Sequence, residues 1–165
     1  MVHLYHGEGK GKTTAAVGLS VRAAGAGLKV VFVQFIKAGH TSELANLEIL
    51  GITVIRPSGK SKFASKMNDE ELKELKKVHD KNLEDAILLK PDLLILDEAC
   101  AAVRYGCVDE IIIKSAIEYG RDKEVVLTGR NPAQWMLDGA DYITEMKCIK
   151  HPLKNGVKAR LGIEY

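Results

Sequence analysis

Gly7-Glu8-Gly9-Lys10-Gly11-Lys12-Thr13-Thr14 joins a short apolar segment, Val2–His6, to an alanine-rich one, Lys12–Ala26. A glycine-rich turn between a strand and a helix exposes consecutive backbone N–H groups, and the helix N-terminus adds positive potential, so the stretch favours phosphate. Within it, Lys12 is the residue to reach terminal phosphates and the Thr13 hydroxyl the one to ligate Mg²⁺, as in a P-loop. The usual loop has four residues between its first glycine and the Gly-Lys pair, whereas three separate Gly7 from Gly11. Counting from His6 restores the spacing but puts histidine at the turn, so the loop is short or differently shaped. A turn that merely links strand to helix is the plainer alternative. The Lys-Thr-Thr opening of the helix favours the phosphate cradle.

Outward from the loop, strand-like and helix-like patterns alternate. Lys29–Ile36 contains Val30-Val31-Phe32-Val33, a continuous apolar run suited to a strand covered on both faces. Glu43–Leu50 reads as helix, and Thr53–Arg56 as a strand stopped by Pro57. Asn68–Lys90 is the longest helix, with Asn68 as N-cap, Asp69, Glu70 and Glu71 in the first turn, and Leu72, Leu75, Val78, Leu83 and Ala86 as its apolar stripe. Asp92–Leu96 and Glu124–Thr128 read as strands, Val108–Tyr119 and Pro132–Asp138 as helices, and Asp141–Lys150 as a last strand before a basic tail. Alternation of this kind implies an α/β domain spanning 1–165, with a mainly parallel sheet and helices on both faces.

In such a sheet the strand C-termini converge on one edge, where ligands bind. Leu93-Leu94-Ile95-Leu96-Asp97-Glu98 is an apolar strand ending in carboxylates, so Asp97 or Glu98 can meet the Mg²⁺ held by Thr13, directly or through water. Taken alone, that ending is also what a strand meeting solvent looks like. Lys10 and Arg22 are further candidates for phosphate charge, or solvated surface residues. Arg130 and Asn131 follow a strand at the expected edge, or simply form the turn before Pro132.

Composition narrows the classes. The chain has 165 residues, 46% hydrophobic and 28% charged, which is ordinary for one globular domain and argues against disorder and coiled coil. Aromatic content of 5% and a net charge of +2 argue against a nucleic-acid partner. Cys100, Cys107 and Cys148 contain no C-x-x-C pair and fit buried or inert thiols in a reducing compartment. The start of the chain has neither a basic segment nor a long apolar one, so a cytoplasmic protein without a membrane segment is expected. His3, His6, His40, His79 and His151 are scattered, without the spacing of a helical metal site.

A P-loop states that a nucleoside triphosphate binds, not what becomes of it, and from these residues a kinase or ATPase is the first reading. The chain nevertheless resembles the corrinoid adenosyltransferases nearly end to end. The resemblance is carried by the loop with Ala15-Ala16, by Arg22-Ala23-Ala24-Gly25, and by Val33-Gln34-Phe35-Ile36-Lys37. It continues in Leu96-Asp97-Glu98, Arg104-Tyr105-Gly106 and Leu127-Thr128-Gly129-Arg130-Asn131-Pro132. Thr144-Glu145-Met146, Lys150-His151-Pro152, Gly156–Arg160 and Gly162-Ile163-Glu164-Tyr165 complete it.

That resemblance implies a RecA-like P-loop fold, usually a homodimer, and transfer of the 5′-deoxyadenosyl group of ATP to the cobalt(I) of a reduced corrinoid, with release of triphosphate. It also implies Mg²⁺, an electron donor such as a reductase or flavoprotein, and a triphosphate held in reverse. The nucleotide would be bound by Gly7, Glu8, Gly9, Lys10, Gly11, Lys12, Thr13, Thr14, Arg22, Arg130 and Asn131, with catalysis and metal binding resting on Lys12, Thr13, Asp97 and Glu98. Many members carry an aromatic pair after the third strand that helps displace the lower axial ligand. Here the corresponding stretch, Ser58–Met67, has Phe63 as its one aromatic residue. A P-loop ATPase or phosphotransferase, and a non-catalytic nucleotide-binding regulator or corrinoid carrier, are the rival expectations.

Overall fold

The computed structural model describes residues 1–36, 41–58 and 64–163. Lys37, His40, Phe63, Glu164, Tyr165 and most of the Ser58–Lys62 loop therefore lie outside the described residues. The elements run β1 (Val2–His6), α1 (Lys12–Gly25), β2 (Val30–Gln34), α2 (Glu43–Ile49), β3 (Thr53–Ile55) and α3 (Asp69–Leu88). They continue with β4 (Leu93–Asp97), α4 (Ala99–Arg104), α5 (Glu110–Tyr119), β5 (Glu124–Gly129), α6 (Gln134–Asp138) and β6 (Tyr142–Glu145). The six strands form one sheet in the order β3-β2-β4-β5-β1-β6, and every described pairing is parallel.

Parallel strands need crossovers, and the helices that supply them cover both faces of the sheet. The apolar runs serve this by pleating. Val30, Phe32, Leu93, Ile95 and Val126 pack with Ala16 and Ala23 of α1 and Leu44 and Leu47 of α2. Their neighbours Val31, Val33, Leu94, Leu96, Val125 and Leu127 pack on the other face against Leu83 and Ala86 of α3 and Ile113 of α5. Helix α3 begins as its sequence demands, with a capping box in which Asn68 Oδ1 accepts from the Glu71 N–H while the Glu71 carboxylate accepts from the Asn68 N–H.

Two local expectations are corrected. The stretch after Asp97-Glu98, where the alternating pattern marked no helix, is a helix, α4, with Cys100 inside it and Cys107 just beyond. Its shortness and lack of amphipathic period hide it, because its first four side chains, Ala99 to Ala102, are all buried. The last strand is also shorter than Asp141–Lys150. Pairing ends at Glu145, because the backbone of Met146 turns onto the glycine-rich loop instead. All four residues of β6 are exposed, as befits a sheet edge.

Candidate active site

The loop after β1 is held open by two glycines in the left-handed region, Gly7 at φ 109° and Gly11 at φ 118°. Met146 backs it. The Met146 N–H donates to His6 O at 2.7 Å, and the Gly9 N–H donates to Met146 O at 2.6 Å. A Cβ on Gly7 or Gly9 would stand 2.6 Å from that carbonyl oxygen, so glycine is required there by close backbone approach. Inside the loop the ammonium of Lys12 donates to Gly7 O and Gly9 O, each at 2.7 Å. Lys12 is buried, and desolvation, followed by the neighbouring Arg130 charge, lowers its pKa.

Beneath the first turn of α1 lies a buried polar row. The Thr13 hydroxyl donates to Asp97 Oδ1 at 2.8 Å, and the Thr128 hydroxyl donates to the same oxygen at 2.8 Å. Gln34 Nε2 donates to Asp97 Oδ2 at 3.4 Å. Thr128 in turn accepts from the Glu98 N–H at 2.9 Å, and Glu98 takes φ 62°, an uncommon conformation for a residue with a side chain. Strand β5 separates β1 from β4, so Thr13 reaches Asp97 because α1 packs across β5 and β4.

The sequence-predicted residues divide into groups. Lys12, Thr13 and Asp97 come together, with Glu98 next to them on the chain. Thr14 is exposed in the first turn of α1. Glu8 and Arg130 meet as an ion pair, Oε2 to Nη1 2.7 Å, across the loop mouth. Asn131 sits beyond, at φ 50°. Together with His6, Gly7, Glu8, Glu145 and Lys147 it lines a groove of about 410 Å³. Lys10 is exposed, and its ammonium donates to Ile163 O at 2.8 Å, so the basic tail returns to the loop.

Arg22 does not join this group. It lies exposed in the last turn of α1, ten residues beyond Lys12 and hence roughly 15 Å along the helix axis. Three of the described histidines serve structure: His151 caps a short turn by accepting from the Leu153 N–H, and His3 pairs with Glu124. His79 is buried, with Nε2 accepting from the Ile36 N–H. Burial pushes the Cys100 thiol up to about 12 and Cys107 up to about 11, in keeping with inert thiols.

Sequence reasoning missed Thr128, Gln34 and Met146 as parts of the site. A polar residue closing an apolar strand run was the available signal for the first two. Nothing local marks Met146, since its contribution is a backbone carbonyl. The donors fit a hard cation: a hydroxyl and carboxylates, with Asp97 fully buried among neutral hydrogen-bond donors. Among the described residues no cluster of three His, Cys, Asp or Glu side chains forms a dedicated cage. No helix among the described residues is long and apolar enough to cross a membrane.

The fold is similar to the crystal structure of the flagellar accessory protein FlaH from Methanocaldococcus jannaschii, with a TM-score of 0.57 over 87% of this chain and 69% of that one. At 14% identity this likeness shows the RecA-like P-loop fold and no more. A corrinoid adenosyltransferase of Pseudomonas aeruginosa is 33% identical over 171 residues, covering 98% of this chain and 82% of the relative. The corrinoid adenosyltransferase of Escherichia coli K12 is 33% identical over 170 residues, covering 100% and 85%. With residues 1–165 also matched by the family model described as ATP:corrinoid adenosyltransferase BtuR/CobO/CobP, the chain belongs to that family.

Proposed function

We propose that the loop, Lys12 and the Thr13–Asp97 pair hold the triphosphate of ATP as a leaving group while its 5′-deoxyadenosyl group passes to a corrinoid. The activity is that of the family, ATP:corrinoid adenosyltransferase, which moves the adenosyl group from ATP to a cobalt corrinoid. In our reading the cobalt(I) of the substrate attacks C5′, the new Co–C bond forms, and the C5′–O bond breaks with its electrons passing to triphosphate. No serine, cysteine or histidine nucleophile is then required of the protein. Its work is positioning and stabilising charge on the departing group.

The observation that carries this reading is the Thr13–Asp97 hydrogen bond beneath a glycine loop whose lysine turns inward. Phosphate oxygens would replace the Gly7 and Gly9 carbonyls as partners of Lys12. Arg130 and Lys10 stand at the loop mouth, where each can contribute charge. When bound, Mg²⁺ neutralises phosphate charge, and Thr13 with Asp97 or Glu98 would hold it. Glu8 is better read as the partner that orients Arg130 than as a phosphate ligand, because a carboxylate repels the triphosphate.

An external electron donor, a reductase or flavoprotein, is part of the proposal, since nothing in the Thr13–Asp97 row can deliver cobalt(I). A homodimer is supported by the exposed Tyr142 and Ile143 on the β6 edge. A cytoplasmic setting is supported by the buried free thiols Cys100 and Cys107.

The test is anaerobic incubation with Mg-ATP and chemically reduced cob(I)alamin, followed by chromatography of both products. Adenosylcobalamin and triphosphate in equal amounts are expected. ADP or phosphate with unchanged corrinoid would sink the reading.

A further inference from the structure

Three adjacent strands end on the same face in polar residues: Thr128 on β5, Asp97 on β4 and Gln34 on β2. Gln34 stands directly opposite Asp97 in the β2–β4 register. By the two-residue pleat these side chains share the face of Val126, Ile95 and Phe32, which α1 covers. All three are fully buried, each at 0% exposure. Thr13 lies over the middle of the row through its bond to Asp97.

Gln34 is the anomaly. An apolar strand covered on both faces has no structural need of an amide. The amide orientation follows from the carboxylate: Nε2 faces Asp97 Oδ2, because the opposite flip would set two acceptors against each other. Oε1 is then left buried with no hydrogen-bond donor among the described residues. Buried acceptors without partners are rare, and such an atom in a polar row points to a donor that arrives with a ligand. A water held by a divalent cation is a strong donor, because the cation polarises its O–H bonds.

We infer that Gln34 is a positioning residue for the hydration shell of the divalent cation: Nε2 fixes Asp97, and Oε1 accepts from a cation-bound water. This rests on the nucleotide–metal reading of the site given above. The rule that partners behind a metal's direct ligands tune its affinity then applies to Gln34.

The experiment is a Mn²⁺ titration of the protein with ATP and without corrinoid, following free Mn²⁺ by EPR, alongside thermal melts without metal. Gln34→Leu removes an unpartnered buried acceptor along with the long 3.4 Å bond to Asp97, so it is expected to melt near the native temperature, yet to bind Mn²⁺ about tenfold or more weakly. Gln34→Asn, which keeps both an amide donor and an amide acceptor, is expected to lose less Mn²⁺ affinity than the leucine variant. If Gln34→Leu melts far lower, Gln34→Met takes its place in the same titration. Native-like Mn²⁺ affinity in the variant lacking the amide overturns this inference alone. No Mn²⁺ binding by the native protein with ATP overturns the metal reading along with it.

Discussion

Replacing Gly9 by alanine tests whether the backbone after β6 shapes the phosphate loop. The added Cβ would meet Met146 O at 2.6 Å, Lys147 O at 2.8 Å and Met146 C at 2.8 Å. All three are backbone atoms of a segment tied to His6, so none can swing away as a side-chain tip could. Gly9 is not among the residues at positive φ, so the penalty is steric crowding and not torsional strain. Overpacking of this kind costs about 1–3 kcal/mol, and losing the Gly9 to Met146 hydrogen bond adds about 1 kcal/mol. The expected destabilisation is therefore about 2–4 kcal/mol, a melting point lower by roughly 5–15 °C for a chain of this size.

Gly18→Ala is the matched control. Gly18 lies within α1, and its Cβ would meet nothing within 4 Å. Helix propensity predicts stabilisation by about 0.8–1 kcal/mol. The two glycine-to-alanine changes should thus shift the denaturation midpoint in opposite directions, with the slope of the transition unchanged. A Gly9→Ala protein within about 0.5 kcal/mol of native would refute the reasoning, because ordinary surface changes fall in that range.

Other outcomes follow from the same geometry. Lys12→Ala should lower kcat by about 10²–10³, the loss expected for one donor to a developing anion, measured as adenosylated corrinoid formed per enzyme; native turnover would show that Lys12 does not stabilise the leaving group. Burial holds the His79 pKa down at about 4 against an ordinary 6.5. Its neutral form is the folded one, so the stability it contributes is intact above about pH 6.5 and falls by about 3 kcal/mol as pH drops to about 4. Denaturant melts across that window should show this slope flattened in His79→Gln, and an equal slope in the variant would assign it to other groups. Cys100 and Cys107 are buried and Cys148 is partly exposed, so one fast and two slow reactions with a thiol reagent are expected in the folded protein. Three equal rates would contradict the burial of Cys100 and Cys107.

The α/β class was legible because its signals are local. Continuous apolar runs such as Val30–Val33, the Asn68 capping box and the Gly-Lys-Thr-Thr opening of α1 each act within a few residues. Helix α4 was not legible, since a six-residue helix with four consecutive buried side chains lacks the one-sided apolar stripe that marks longer ones.

For the site, residue types and spacing determined that a phosphate loop precedes α1 and that a carboxylate ends an apolar strand. The tertiary structure decided which of these meet. Strand β5 inserts between β1 and β4, and α1 crosses it to bring Thr13 onto Asp97. The same packing leaves Arg22 at the far end of α1 and sets Gln34 beside Asp97. It also presses a backbone carbonyl from Met146, more than 130 residues away along the chain, against Gly9. Strand order and backbone approach between distant segments depend on the summed burial of both sheet faces, a quantity that no short stretch of sequence contains.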